Sequence, residues 1–274
     1  MNVTEYLQKW SVSYRDDMLG NIMPFWLKHG LDLRNGGVYT CLDRDGSLID
    51  TTKSVWFQGR FAFTCSYAYN HIEQNPEWLA AAKSTIDFIE QHCFDSDGRM
   101  FFEVTASGEP LRKRRYVFSE TFAAIAMAEY AIASGEREYA EKALKLFKDI
   151  QRFLNTPGVL EPKYWNTVQS KGHSIVMILI NTASRIRAAI ADPALDKQID
   201  DSIALLQKDF MHPEFNALLE TVGSNGEFID TINGRIINPG HCIETSWFIL
   251  EEAKYRNWDK QLTDMALTIL DWSW

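Results

Sequence analysis

FSETFAAIAMAEYAIASGEREYAEKALKLFKDIQRFL, residues 118–154, decides the fold. Its first part, 118–133, is apolar almost all round, as a helix buried on every side must be. Its second part, 136–154, sets Ala140, Leu144, Phe147, Ile150 and Leu154 at helical spacing among charged residues, which predicts a helix with one buried stripe. The pairing recurs along the chain. Segments 55–68, 173–186 and 241–253 read as buried helices, and 3–28, 78–93, 195–211 and 260–274 as amphipathic ones, nine helices in all. In 195–211 the stripe is Ile199, Ile203, Leu206 and Phe210; in 260–274 it is Leu262, Met265, Ala266, Ile269 and Leu270.

The linkers repeat as well. RNGGVYTCLDRDGSLID, DSDGRMFFEVTASGEPL, NTPGVLEPKYW and HPEFNALLETVGSNGEF begin near 34, 95, 155 and 212, about 60 residues apart. Most join a turn signal to a short aromatic or β-branched run and a second turn, which predicts small β-hairpin excursions. Buried helices alternating with amphipathic ones predict an all-α toroid, an inner ring wrapped by an outer one, with an open superhelix of helix pairs as the alternative. The chain is read as a single domain over 1–274. The last helix stops at DWSW where the repeat calls for another excursion, so the ring is expected to be incomplete at the C-terminus.

Composition narrows the function. The 274 residues are 46% hydrophobic and carry a net charge of -9 with the acids dispersed, which argues against nucleic acid or an anionic membrane as partner. No apolar run reaches the roughly 18 residues of a membrane span, and MNVTEYLQKW lacks the features of a secretory signal. Four cysteines without a C-x-x-C fit a reduced, cytoplasmic protein. No metal is expected, because no His pair has the H-x-x-x-H spacing of a zinc helix; Walker, G-x-G-x-x-G and G-x-S-x-G motifs are absent too.

The buried helices open with polar groups: Trp56, Gln58 and Arg60; Ser119 and Glu120; His173, with Asn181 two turns on; and His241 with Glu244. If these helices run one way around a ring, their amino ends converge on one pocket, where free N–H groups favour developing negative charge. His241 follows Asn238-Pro239-Gly240, and Glu244 lies one turn along on the same face. Each group has a plainer reading. Ser119 could be an N-cap and Glu120 a first-turn acid, His173 a hydrogen-bonded core histidine, and His241 with Glu244 a structural cap pair. His29, His71, His92 and His212 read as surface residues.

GGVYTCLDRDG, VWFQGR, FSE and NPGHxxExxW, in this order, resemble the N-acylglucosamine 2-epimerase family, and the resemblance runs from the first helix to residue 274. It implies an (α/α)6 barrel and epimerisation of a sugar by proton transfer at C2 of the ring-opened form. It makes His241 one acid/base, a role suited to an imidazole whose ordinary pKa, about 6.5, lies near neutrality. Glu244 would orient or polarise it, and Arg60 would stabilise the negative charge on the C1 and C2 oxygens. Trp56, Tyr39, Glu120, His173 and Asn181 would bind the substrate. The resemblance places a second catalytic histidine beyond residue 274, and no histidine follows His241, so the chain alone is expected to hold half of the machinery. The QGR and NPGH forms resemble the branch interconverting N-acetyl-D-glucosamine and N-acetyl-D-mannosamine more than the disaccharide epimerases. No cofactor is required; ATP as an allosteric activator and a homodimer are what the family adds. The alternatives are a mannose-type aldose–ketose isomerase, a glycosidase using Glu120 and Glu244, and a non-catalytic binding protein.

Overall fold

The computed structural model describes residues 2–160 and 167–274. The chain divides into two compact units, Met1–Tyr139 and Ala140–Trp274. In the first, α1 (Val3–Asp17) passes through a π-helical turn (Met18–Ile22) into α2 (Met23–His29). The single amphipathic helix expected over 3–28 is therefore interrupted. Pro24 has no N–H to give the carbonyl of Gly20, one turn back, and the ladder widens there. None of α1 is buried; Val3, Leu7 and Tyr14 of its apolar stripe are open to solvent.

A hairpin follows, β1 (Cys41–Leu42) with β2 (Leu48–Asp50), and then a three-stranded sheet of β3 (Lys53–Ser54), β4 (Glu103–Val104) and β5 (Pro110–Arg112). Helices α3 (Val55–His71), α4 (Pro76–His92) and α5 (Phe118–Ser134) form the core of this unit. Asn75 caps α4 through its side chain, and Pro76 fills the first position, where its missing N–H costs nothing. Gly59 lets α3 lie directly on α5: a β-carbon there would come within 2.7 Å of the Phe122 backbone. Every residue of α5 from Ser119 to Ala131 is buried, as its all-round apolarity requires. Ser119 lies inside this helix; the N-cap is Val117.

The helix α6 (Arg137–Asn155) runs from one unit into the other and buries Ala140, Ala143, Phe147, Ile150 and Phe153; of the expected stripe, Leu144 is half-buried and Leu154 is exposed. The linker expected from residue 155 lies partly outside the described residues, at 161–166. In the second unit β6 (Ser170–Gly172) runs straight into α7 (His173–Ala189), which pairs with α8 (Pro193–Leu205). A π-helical turn (Leu206–Phe210) leads to the hairpin of β7 (Met211–His212) and β8 (Ala217–Leu218), then to β9 (Thr221–Gly223), which returns to pair with β6. The hairpin of α9 (Pro239–Tyr255) and α10 (Lys260–Ser273) closes the chain, with α9 also packed on α7.

Two of the helices read as buried all round keep one open stripe. On α3 it is Phe57, Arg60 and Thr64; on α9 it is Ile243, Glu244, Trp247 and Glu251. In each stripe every member has another three or four residues away, so both are single helix faces.

Candidate active site

The second unit gathers an imidazole–carboxylate–imidazole cluster. Strand β6 ends at Gly172 and pairs there with Thr221, so Glu220 arrives beside His173, the first residue of α7. The backbone N–H of His173 donates to the Glu220 carbonyl at 2.9 Å. From the other side, Asn238-Pro239-Gly240 starts α9: the Asn238 side chain accepts from the His241 N–H at 3.3 Å, Pro239 opens the helix, and His241 points to the same carboxylate. Its Nδ1 lies 3.0 Å from Glu220 Oε2 and 3.1 Å from Oε1. The His173 ring is wholly buried, and its Nε2 lies 2.8 Å from Thr245 Oγ1. The His241 side chain keeps 33% of its exposure, and Glu220 keeps 20%.

The electrostatics follow from this packing. Burial works to raise the Glu220 carboxyl, but the His173 and His241 imidazoles beside it outweigh burial and hold it below the ordinary carboxylate range. An ionised Glu220 accepts the Nδ1–H of His241, which fixes that tautomer and leaves the Nε2 lone pair free. The arrangement is that of a carboxylate-oriented general base.

Glu244 does not supply this carboxylate. It is exposed on the open stripe of α9, and the carboxylate against His241 Nδ1 is that of Glu220, 21 residues upstream. Asn181 is also separated from the cluster. Eight residues along α7, about 12 Å of rise, it lines a cavity of about 150 Å³ with Arg185, Arg187, Phe248 and Tyr255. His212, read as a surface residue, is buried instead, with Nδ1 2.9 Å from Glu214 Oε1.

In the first unit the W-x-Q-G-R residues divide by task. Trp56 sits in a box of Phe102, Tyr116, Phe118 and Phe122, with ring centroids 5.3 to 5.6 Å away. Gln58 mimics a strand partner, donating to the Val38 carbonyl at 2.7 Å and accepting its N–H at 2.8 Å. Arg60 is exposed, where the buried surroundings expected for it would have demanded a partner. Its guanidinium lies 4.4 Å from the Phe122 ring centre. With Tyr39, Trp26, Phe57 and Phe61 it lines a cavity of about 310 Å³. Burial first, then the Asp32 carboxylate, push the Tyr39 hydroxyl pKa upward. Glu120 is engaged internally: fully buried, it accepts from Arg99 Nε at 2.7 Å and from the Met100 N–H at 2.9 Å. A cavity of about 680 Å³ between α2 and α4 holds none of the site residues expected from the sequence.

These features have relatives. Residues 37–272 match the family described as N-acylglucosamine 2-epimerase (GlcNAc 2-epimerase). The N-acylglucosamine 2-epimerase of Bos taurus is 30% identical over 245 residues, which cover 87% of this chain and 58% of that protein. The cellobiose 2-epimerase structure from Bacillus thermoamylovorans superposes with a TM-score of 0.84 at 21% identity, over 96% of this chain and 71% of that one. A D-mannose isomerase structure gives 0.76 at 17% identity, over 92% and 67%. The chain belongs to the N-acylglucosamine 2-epimerase family. Its fold is the (α/α)6-barrel type of the sugar epimerases, and it spans less than two thirds of the length of the N-acylglucosamine 2-epimerases it matches.

Proposed function

We propose that this chain acts on the C2 proton of a ring-opened N-acylated amino sugar, as an epimerase interconverting N-acetyl-D-glucosamine and N-acetyl-D-mannosamine. The observation that carries this reading is the His241 Nδ1 contact with Glu220, which leaves Nε2 of a partly exposed imidazole free to take a proton. Similarity to the Bos taurus enzyme, whose name specifies N-acylglucosamine, supports the substrate class.

A proton on the carbon next to a carbonyl becomes removable when the resulting enolate, here with its charge on the C1 oxygen beside the acylamino-bearing C2, is stabilised. His241 Nε2 takes that proton; inversion is completed only when a second acid/base returns a proton to the opposite face of C2, a role the family resemblance gives to another histidine. Glu220 holds the ring in register and balances the charge of the imidazolium that forms. On the family resemblance alone, Arg60 is proposed to neutralise the charge that develops on the C1 oxygen. Trp56, Tyr39 and Glu120 remain candidates for shaping the sugar pocket, as do His173 and Asn181. In this reading Glu244, on the open face of α9, assists ring opening. No cofactor enters these steps. ATP as an allosteric activator and a homodimer are further proposals that rest on the family alone.

Proton NMR of N-acetylmannosamine in heavy water tests the reading. Loss of the C2 proton signal with the wild-type chain, but not with His241→Ala, is the expected result. Exchange that persists in His241→Ala would remove His241 from the chemistry. Likeness to the D-mannose isomerase favours one second reading, an aldose–ketose isomerase, in which a 2-hydroxy sugar such as mannose forms an enediolate that takes its proton back at C1. Accumulation of a ketose when mannose replaces N-acetylmannosamine would select it.

A further inference from the structure

The hydrogen bonds around His173 leave one nitrogen unaccounted for. The Thr245 hydroxyl donates its only proton to the His241 carbonyl at 2.9 Å. The contact between Thr245 Oγ1 and His173 Nε2, 2.8 Å, therefore runs from the ring N–H to the hydroxyl oxygen. That places the lone pair of a neutral His173 on Nδ1. This atom is buried, has no hydrogen-bond partner, and lies 3.6 Å from the Glu220 Oε2 carboxylate oxygen. With a neutral ring two acceptors thus face each other across a gap beyond hydrogen-bond reach, a conflict that a proton on Nδ1 or a bound cation relieves.

A cation satisfies both. One donor atom each from His173, Glu220 and His241 lie within 4.8 Å of one another. Two imidazole nitrogens and one carboxylate oxygen form the donor set of three-ligand zinc sites, which keep a fourth position for water. The second requirement of such a site, an orienting partner for a ligand's other nitrogen, is already met by Thr245 at His173. We propose that His173 Nδ1, Glu220 and His241 form a zinc-binding site. Occupancy takes the carboxylate from His241 and recruits its imidazole as a ligand, so zinc and proton transfer exclude each other. The exclusion rests on the proposed function, whereas the binding does not.

Isothermal titration of the full chain with zinc sulfate tests the site, in a Cys41→Ser background that removes the one exposed thiol among the four cysteines. One zinc per chain is expected. Glu220→Gln and His173→Asn should each weaken binding at least tenfold, and Glu214→Gln, beside His212, should leave it unchanged. Far-UV circular dichroism establishes that each variant is folded, and His241→Gln serves in place of any that is not. No binding by the folded chain, undiminished binding in the cluster variants, or loss confined to Glu214→Gln overturns the proposal. The C2 exchange rate is measured alongside. Exchange that zinc suppresses and EDTA restores is expected; exchange at full rate in the zinc-saturated chain overturns the exclusion. Zinc binding without any C2 exchange keeps the site and refutes the epimerase reading.

Discussion

Lys53 shows how far single residues commit this chain. Its ammonium is fully buried, 2.8 Å from Asp32 Oδ2, and it also donates to the carbonyls of Gly36 and Ala106. Removing one partner of a buried pair typically costs about 3–5 kcal/mol, so Lys53→Met should lower stability by that order in urea unfolding. Burial would raise the Asp32 carboxyl, but Lys53 and the Asn35 contacts overcome it and hold the group far below its ordinary pKa. A depressed carboxyl stabilises above its unfolded pKa, about 3.9, and that contribution disappears as pH falls through the folded value. The wild-type urea midpoint should therefore drop below about pH 4, and Asp32→Asn, already weaker at neutrality, should drop less. Equal slopes would show the pair to be energetically idle. At Arg60 the expectation is the opposite. An exposed cation over a ring contributes about 0.5–1 kcal/mol, so Arg60→Met should barely move the melting temperature. Loss of one charge-stabilising donor typically costs about 10²–10³ in rate, and the C2 exchange rate should fall accordingly.

The helices were legible because burial pattern alone sets them. The all-apolar 118–133 became α5, buried from Ser119 to Ala131, and the charged stripe pattern of 136–154 became α6. The open stripes on α3 and α9 were not legible, because Phe57, Ile243 and Trp247 are as apolar as residues that are buried. The excursions announced themselves by turn residues, but their pairing did not: β9 pairs with β6, some 50 residues away, and no local pattern encodes that register. Glu220 was missed for the same reason. It lies inside LLETV, a run that reads as strand, and it reaches His241 only because β6 holds it there. His241 was visible through its Asn-Pro-Gly turn, whereas Glu244 satisfied the helical spacing rule without being the partner. Gly59 offers the clearest test of helix packing. A methyl there meets the Phe122 backbone at 2.7 Å, and overpacking of this kind costs roughly 1–3 kcal/mol. Gly59→Ala should lower the urea midpoint by that order although alanine favours helix; a stabilised variant would mean that α3 and α5 are not in contact there.

Across the whole chain, family membership rests on a match from residue 37 to 272, and the chain spans 58% of its Bos taurus relative. Its 37 acidic and 28 basic residues give the net charge of -9, which suits an uncharged substrate better than a polyanion. No described helix is long and apolar enough to cross a membrane. The proposed proton transfer in the second unit comes back to one carboxylate. The rate of C2 proton exchange in N-acetylmannosamine, compared between wild type and Glu220→Gln in EDTA, tests that claim most directly. The glutamine keeps the size of the side chain but removes the charge that fixes the His241 tautomer. Loss of an orienting carboxylate in a comparable arrangement costs about 10⁴ in rate, and a fall of at least a hundredfold in a folded variant is the predicted result. A Glu220→Gln chain that exchanges the proton at the wild-type rate would contradict the account.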